Sequence, residues 1–310
     1  MPVSLLALVA VALVAGSAEQ TAEALKANGS RNIPIRIVRS ELLVPALVNG
    51  QQLTFILDSG AHSFFLDQNV ANRMKLTSRE RVRSFGAGDS QVLIPQIHGL
   101  DIEFAGSGIS GETAGIIDLA PISAYLNMPI DGVAGAQVFS RSVIAIDYCR
   151  QQIRVTSPEI FVLPSNAIVR PITEIGGNYA TEATLHFAAG KEVKGMFLLD
   201  TGAGPITIGI TRQQGERLSI DTKSARQETI PALGGNFRAG VVAAESINVG
   251  GASARRIDVH VAENTSGGLA AGPYTGVIGG GFFRRFLTIF DVPHGRLVLV
   301  PAQKCEAGSQ

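Results

Sequence analysis

The chain contains one eight-residue pattern twice, and this repeat constrains its fold more than any other feature. Met196–Ala203 reads MFLLDTGA and Thr54–Ala61 reads TFILDSGA. Each copy is an apolar, strand-like run followed by an acidic residue, a small hydroxyl residue, glycine and alanine. A single Asp-Ser-Gly is commonly a turn after a strand. Two copies, with their acidic residues 142 positions apart, instead indicate a duplicated structural unit.

Further landmarks recur at matching distances after the two patterns. The segment GVAG at 132–135 corresponds to GVIG at 276–279, and these segments end 77 and 79 positions after the respective acidic residues. Strand-like runs ending in Asp147 and Asp291 follow the acidic residues by 89 and 91 positions. This agreement over some 90 positions predicts two lobes of the same architecture.

Composition and turn signals favour strands within each lobe. The chain is 45% apolar and 17% charged, and its 35 glycines and 14 prolines are scattered through Val-, Ile- and Leu-rich runs. Asn49-Gly50, between Leu42–Val48 and Leu53–Leu57, is a strong hairpin signal. We therefore predict an all-β chain whose two lobes are related by a pseudo-twofold axis.

The lobes are predicted at residues 34–160 and 165–303, with a turn signal at 164–166 as their junction. A few short helices are also expected. Asp67 is a predicted N-cap in the first lobe, and Thr211 begins a capping-box pattern in the second.

The N-terminal residues suggest export. Residues 3–15 are apolar and uncharged, and the small residues after them predict a signal peptide at 1–18, cleaved after Ala18. An apolar first strand or an uncleaved anchor is the alternative. Residues 19–33 are interpreted as a leader or linker. These features predict a secreted or periplasmic protein without stable membrane insertion.

Several ligand classes are disfavoured. Twenty-six basic and 26 acidic residues cancel, so no positive field recruits nucleic acid. Cys149 and Cys305 pair or remain two thiols, and no metal-ligand spacing or cofactor motif accompanies them. The GxGxxG at 106–111 is interrupted downstream by Gly115, Pro121 and Pro129, which argues against a dinucleotide-binding helix. We expect no metal and no cofactor.

A pseudo-twofold axis would bring the two acidic loops, residues 58–61 and 200–203, face to face. Two carboxyl groups a few ångströms apart share one proton, since ionising both is costly. The ionised group can then take a proton from water while the protonated group hydrogen-bonds the carbonyl under attack. Gly60 and Gly202 permit close approach of the backbone, and the neighbouring hydroxyl groups can brace the loops.

The two loops resemble the Asp-Thr/Ser-Gly loops of aspartic peptidases. The segments at 132–135 and 276–279 resemble the apolar-apolar-Gly segment that passes beneath each loop in that family. Residues 281–291 (GFFRRFLTIFD) resemble the corresponding segment of a pepsin lobe. The resemblance covers residues 35–303 and is best for bacterial retropepsin-like proteases with two fused lobes.

This resemblance implies specific roles for the loop residues. It implies a catalytic dyad of Asp58 and Asp200 in an aspartic endopeptidase that is active on an extended peptide or protein substrate as a monomer. It further implies support of the dyad by the rest of both loops: Ser59, Gly60, Ala61, Thr201, Gly202 and Ala203.

The resemblance also implies flaps that close over substrate. The flap candidates are Gly86, Ala87 and Gly88 in the first lobe and Gly234 and Gly235 in the second; ordinary hairpin turns are the alternative. Residues 80–95 lack the tyrosine of pepsin-like flaps.

Both loops end in alanine where pepsins place Ser or Thr. One fewer hydroxyl donor to the carboxylate predicts a pH optimum less acidic than that of pepsins. Two other readings of the chain remain: a catalytically silent relative that binds peptides, and a structural β-rich envelope protein in which the loops are merely turns.

Overall fold

The computed structural model describes residues 29–104, 107–271 and 273–301. The predicted signal peptide, most of the predicted leader and Cys305 lie outside these ranges. Within them, the chain forms two lobes with equivalent elements in the same order, so the predicted all-β, two-lobed fold is confirmed.

The described part of the first half contains these elements: β1 (Ser30–Pro34), β2 (Arg36–Val38), β3 (Glu41–Val48), β4 (Gln51–Leu57), β5 (Phe64–Asp67), α1 (Gln68–Arg73), β6 (Glu80–Ser84), β7 (Val92–Phe104), β8 (Ser107–Ile117), α2 (Ala120–Leu126), β9 (Gly132–Ala134), α3 (Ala136–Arg141), β10 (Val143–Asp147) and β11 (Gln152–Thr156). The described part of the second half contains these: β12 (Ile168–Pro171), β13 (Thr173–Ile175), β14 (Asn178–His186), β15 (Glu192–Leu199), β16 (Ile208–Ile210), α4 (Arg212–Arg217), β17 (Arg226–Ala232), β18 (Gly235–Val249), β19 (Ala252–Ala262), α5 (Gly268–Ala271), β20 (Gly276–Ile278), α6 (Gly280–Phe283), β21 (Phe286–Asp291) and β22 (Arg296–Pro301).

The sheets show the duplication directly. Each lobe has an eight-stranded sheet, ordered β2-β3-β4-β9-β5-β8-β7-β6 in the first and β13-β14-β15-β20-β16-β19-β18-β17 in the second. Adding eleven to each label of the first order gives the second. A six-stranded sheet, β1-β11-β10-β21-β22-β12, joins the lobes through the antiparallel pair β10–β21. Its order is symmetric about that pair, which fixes how the lobes face each other.

Local sequence explains the hairpin and the caps. Asn49 and Gly50 have φ values of 48° and 78°, the left-handed values that a tight hairpin between β3 and β4 requires. Asp67 Oδ1 accepts a hydrogen bond from Asn69 N at 2.8 Å, and Thr211 Oγ1 accepts one from Gln214 N at 3.3 Å. Both predicted N-caps are confirmed.

The repeated glycine segments form β9 and β20, which lie beneath the acidic loops. β9 is inserted between β4 and β5, and β20 between β15 and β16. A methyl group on Gly132 would lie 2.5 Å from the carbonyl oxygen of Phe65, so only glycine fits there. Below them, the rings of Phe139 and Phe283 pack on Phe290, with centroids 4.9 and 5.6 Å away, and fill the core between the lobes.

Several details differ from or add to the sequence reading. β1 begins inside the segment interpreted as leader or linker and pairs with β11. Its sequence, SRNIP, contains one aliphatic residue, which is too weak a signal to predict a strand. The predicted strand at 35–38 divides at Ile35, between β1 and β2. Residues 107–111 of the GxGxxG match lie in β8, so no helix begins there. Cys149 is disulfide-bonded. No helix in the described ranges is long and apolar enough to cross a membrane.

Candidate active site

Asp58 and Asp200 follow the ends of equivalent strands, β4 and β15, and lie together between the lobes. Each is held by backbone bonds from β9 or β20: Asp58 N donates to Ala134 O at 2.9 Å and Asp200 N to Ile278 O at 3.0 Å. Each carboxyl group lies against the glycine of the opposite loop and shifts the pKa of the other carboxyl group. Residues 142 positions apart therefore form one composite group.

The turn after each acidic residue directs backbone N–H groups at its carboxyl group. Asp58 Oδ1 accepts hydrogen bonds from Gly60 N at 2.8 Å and Ala61 N at 3.0 Å. Asp200 Oδ1 accepts one from Ala203 N at 3.0 Å. Because hydrogen bonds to the charged form favour it, Asp58 has the stronger support for carrying the negative charge.

Ser59 and Thr201 link the two loops through four hydrogen bonds. Thr201 Oγ1 accepts from Ser59 N at 2.9 Å and donates to Leu57 O at 2.7 Å. Ser59 Oγ accepts from Thr201 N at 3.0 Å and donates to Leu199 O at 2.8 Å. Both side chains are fully buried. A hydroxyl group can serve as donor and acceptor at once, which explains why both loops have a hydroxyl residue at this position.

The glycines of the loops make the close approach possible. A methyl group on Gly60 would lie 2.5 Å from Asp200 Cγ, and one on Gly202 would overlap the carboxyl group of Asp58. Each glycine thus leaves room for the carboxyl group of the opposite lobe. The pattern Asp-Ser/Thr-Gly is explained by contacts across the axis as well as by its own turn.

The pair favours one shared proton. Burial raises the pKa of Asp200 well above its usual range, and the charge of Asp58 raises it further. Burial also raises the pKa of Asp58, but hydrogen bonds from Asp200 and from the loop N–H groups oppose this rise. Asp200 therefore holds the proton and Asp58 the charge when the pair carries one proton, although the two groups titrate as a unit.

A third carboxyl group, which the sequence analysis did not identify, lies beside the pair. Glu41, the first residue of β3, has only 6% of its surface exposed, and its Oε1 accepts from Gly204 N at 3.3 Å. Burial raises its pKa well above its usual range, and the charges of Asp58 and Asp200 add to the shift. Glu41 reaches this position only because the two lobes pack together, so no local sequence motif predicts it.

The flap candidates lie at the tips of two hairpins that meet each other. The first tip, residues 85–91, joins β6 to β7, and the second tip, residues 233 and 234, joins β17 to β18, whose first residue is Gly235. Gly88 N donates to Leu233 O at 3.1 Å, and Ser90 N donates to Gly234 O at 2.9 Å. The structure therefore brings together the five glycine and alanine residues named as flap candidates.

Each tip packs against an apolar cluster of the opposite lobe. Leu233 contacts the apolar cluster that includes Ala61, and Ala87 contacts the cluster that includes Ala203. Asp89, in the first tip, accepts from Arg238 Nη2 at 2.5 Å and from Thr265 N at 2.9 Å. These contacts hold the first tip on the second lobe.

A small cavity of about 90 Å³ adjoins Asp58 and Glu41. Its remaining lining is mostly apolar and comes from both lobes: Ile56, Ile122, Tyr125, Leu126, Val133, Gly202, Ala203, Pro205, Ile206, Ile230 and Pro231. In the described part of the chain, no group of three or more His, Cys, Asp or Glu side chains is arranged to hold a metal ion.

Comparison with known proteins agrees with this arrangement. The family model described as "Aspartyl protease" matches residues 44–137 and 183–282, one match for each lobe. No curated protein matches the chain. Among solved structures, the aspartic proteinase from Irpex lacteus is similar with a TM-score of 0.53 and 11% identity, over 91% of this chain and 100% of that one. At this identity the likeness concerns the fold alone.

Proposed function

Since the chain belongs to the aspartyl protease family, we propose that it is an endopeptidase that hydrolyses peptide bonds with water activated by Asp58 and Asp200. The observation that carries the proposal is the close approach of two half-buried carboxyl groups, one from each lobe, each lying against the glycine of the opposite loop. Each carboxyl group is also fixed by its own loop N–H groups. A turn without a catalytic role requires neither the burial nor the pairing.

In the proposed reaction, the ionised Asp58 takes a proton from a water molecule bound between the two carboxyl groups. The oxygen of that water attacks the peptide carbonyl carbon, while Asp200 donates its proton to the carbonyl oxygen. The resulting tetrahedral intermediate breaks its C–N bond as Asp58 donates its proton to the amine nitrogen and Asp200 takes a proton from a hydroxyl group of the intermediate. The products are a carboxylic acid and an amine, and the dyad returns to its starting protonation state. The reaction needs no covalent enzyme intermediate and no cofactor.

The proposed substrate is an extended peptide that lies between the dyad and the two hairpin tips. The two tips are hydrogen-bonded to each other, so they must separate to admit a peptide between them and the dyad. Flap function for Gly86, Ala87, Gly88, Gly234 and Gly235 is therefore part of the proposal. Because one chain supplies both acidic loops, we propose that the monomer is the active form.

We also propose export to an oxidising compartment, with the signal peptide removed after Ala18. The apolar run at 3–15 supports this, and the disulfide bond of Cys149 is the chemistry of an exported protein. Mass spectrometry of the protein recovered from the periplasm or medium should find Glu19 at the amino terminus. Recovery of the uncleaved chain would contradict this part.

Incubation of the mature chain with a peptide library across pH tests the catalytic proposal. We expect cleavage products that disappear in both Asp58→Asn and Asp200→Asn. Asp101→Asn is the matched control, because it makes the same change at an exposed position in β7, and it should cleave as the wild type does. Cleavage that survives in both dyad variants would refute the mechanism, and peptide binding without cleavage would indicate a silent relative.

A further inference from the structure

Glu41 lines the cavity beside the dyad and has one carboxyl oxygen without a partner among the described residues. Its Oε1 is occupied by Gly204 N, whereas Oε2 is buried and lacks a hydrogen-bond partner among the described residues. A buried polar atom without a partner costs free energy, which a bound group could recover. The cavity that Glu41 shares with Asp58 is where such a group would lie.

The cavity combines apolar walls with an acidic end formed by two carboxyl groups. Among the described residues that line it, the carboxyl groups of Glu41 and Asp58 are the only ionisable ones apart from the phenol of Tyr125, and none is basic. Two nearby arginines are engaged elsewhere: Arg39 lies over the ring of Tyr125, and Arg284 donates to Ser40 Oγ at 3.1 Å. The site therefore lacks a positive charge of its own to balance Glu41.

This combination matches a lysine side chain. Lysine has a flexible apolar stem of four carbons that packs against aliphatic side chains, and a compact ammonium group with three donors. An ammonium group at Oε2 would provide the missing partner and would favour the ionised form of Glu41, whose pKa is raised by burial and by the nearby Asp58. A neutral aliphatic side chain would leave Oε2 unpaired.

The equivalent position in the second lobe is different. In the hairpins, Leu43 pairs with Ile56 and Ala180 pairs with Leu198, so Glu41 in β3 corresponds to Asn178 in β14. Asparagine carries no charge. The acidic end therefore exists on one side of the pseudo-twofold axis, and a substrate preference that arises from it should appear at one position of the peptide.

We propose that Glu41 gives this site a preference for lysine at one substrate position next to the cleaved bond. The inference rests on the proposed function, because it names the substrate class of the same site. It treats Glu41 as a specificity residue that contacts the substrate, in addition to bracing Gly204.

Peptide series test this preference. Starting from the best-cleaved library peptide, each position is replaced in turn by lysine, by norleucine, which keeps the stem without the charge, and by glutamate. At one position we expect lysine to exceed norleucine about tenfold or more in kcat/KM, mainly through KM. Glutamate should be the poorest substrate there.

Glu41→Gln should reduce the ratio of lysine to norleucine to about twofold or less while norleucine peptides are still cleaved. Glu182→Gln is the matched control, since Glu182 lies on β14 and pairs with Lys194 at 3.1 Å; it should keep the wild-type ratio. Glu41→Asp retains the charge on a shorter stem and should retain part of the preference, which keeps the test available where Glu41→Gln does not fold.

The outcomes separate the two proposals. Asp58-dependent cleavage without a lysine preference, or with one that persists in Glu41→Gln, overturns the role of Glu41 and leaves the protease proposal intact. If no peptide is cleaved, the protease proposal fails. Equilibrium binding of the lysine and norleucine peptides then tests the role of Glu41. Tighter binding of lysine peptides by wild type than by Glu41→Gln supports the inference, and equal or absent binding overturns it.

Discussion

The two lobes contribute equivalent acidic loops, yet the surroundings of these loops differ. Three backbone N–H groups, those of Gly60, Ala61 and Gly202, lower the pKa of Asp58, whereas two, those of Ala203 and Gly202, lower that of Asp200. Beside the loops, the first lobe has Glu41 where the second has Asn178. The first hairpin tip is also longer than the second, with seven residues between its strands against two.

The difference separates what duplication fixes from what it leaves free. The features common to both lobes, namely the loops, the glycine strands beneath them and the hydroxyl groups between them, create a pair of carboxyl groups in contact. The features that differ determine which carboxyl group is ionised and which side of the cavity carries charge. The features shared by the lobes thus form the pair of carboxyl groups, and the differences between the lobes distinguish the role of Asp58 from that of Asp200.

Adding a methyl group to either loop glycine should have the largest effect and should affect both lobes alike. Gly60→Ala and Gly202→Ala each push against the carboxyl group of the opposite lobe. Because displacements of about 1 Å in a catalytic group can cost about 100-fold in rate, we expect at least that loss in kcat. Gly99→Ala, which has open space around it, should lose stability from its positive φ without losing activity. An active Gly60→Ala or Gly202→Ala enzyme would contradict the close approach.

Removing one bridging hydroxyl group should destabilise both lobes. Thr201→Val keeps the shape but leaves Ser59 N and Leu57 O unpaired in the core. We expect a loss of about 2–4 kcal/mol in the free energy of unfolding by urea denaturation. Thr201→Ser, which retains the hydroxyl group, should lose much less. Equal stability of Thr201→Val and wild type would show that these bonds do not hold the lobes together.

The proton shared by the dyad should make stability depend on pH unequally in the two lobes. A carboxyl group whose pKa is raised on folding stabilises the fold below its unfolded pKa, and this contribution is lost as pH rises through the folded pKa. Asparagine stays neutral at all pH values. The free energy of unfolding of Asp200→Asn should therefore exceed that of wild type by about 1 kcal/mol or more at neutral pH, and the two should differ little near pH 3. The gain in unfolding free energy should be smaller for Asp58→Asn, because the carboxylate of Asp58 in the wild type accepts more hydrogen bonds from N–H groups. A larger gain for Asp58→Asn would show that the shared proton lies on Asp58 instead of Asp200.

The contact between the first tip and the second lobe should have the smallest effect. The ion pair of Asp89 and Arg238 is partly exposed, so Arg238→Gln should change the free energy of unfolding by less than about 1 kcal/mol. Hydrogen exchange at residues 85–91 should nevertheless accelerate, because the first tip loses a bond to the opposite lobe. Arg255→Gln, a change on β19 without an ion pair among the described residues, is the control. Unchanged exchange would show that other contacts hold the tip.

The sequence predicted the features that the duplication repeats. The loops, the strands ending in Asp147 and Asp291 and the hairpin at Asn49-Gly50 were predictable because each has either a second copy or a strong local signal. Features that arise only when the lobes meet were not predictable. Glu41 bonds to Gly204, 163 positions away, and β1 pairs across the chain with β11 despite its polar sequence.

The central claim is that Asp58 and Asp200 act as one unit, and a double-mutant cycle tests it most directly. kcat/KM is measured for wild type, Asp58→Asn, Asp200→Asn and the double variant on one peptide. We predict that each single change lowers kcat/KM by about 10³-fold or more and that the double variant is no more than about tenfold below the weaker single variant. Losses that multiply in the double variant, or a single variant that retains wild-type activity, would contradict a shared site.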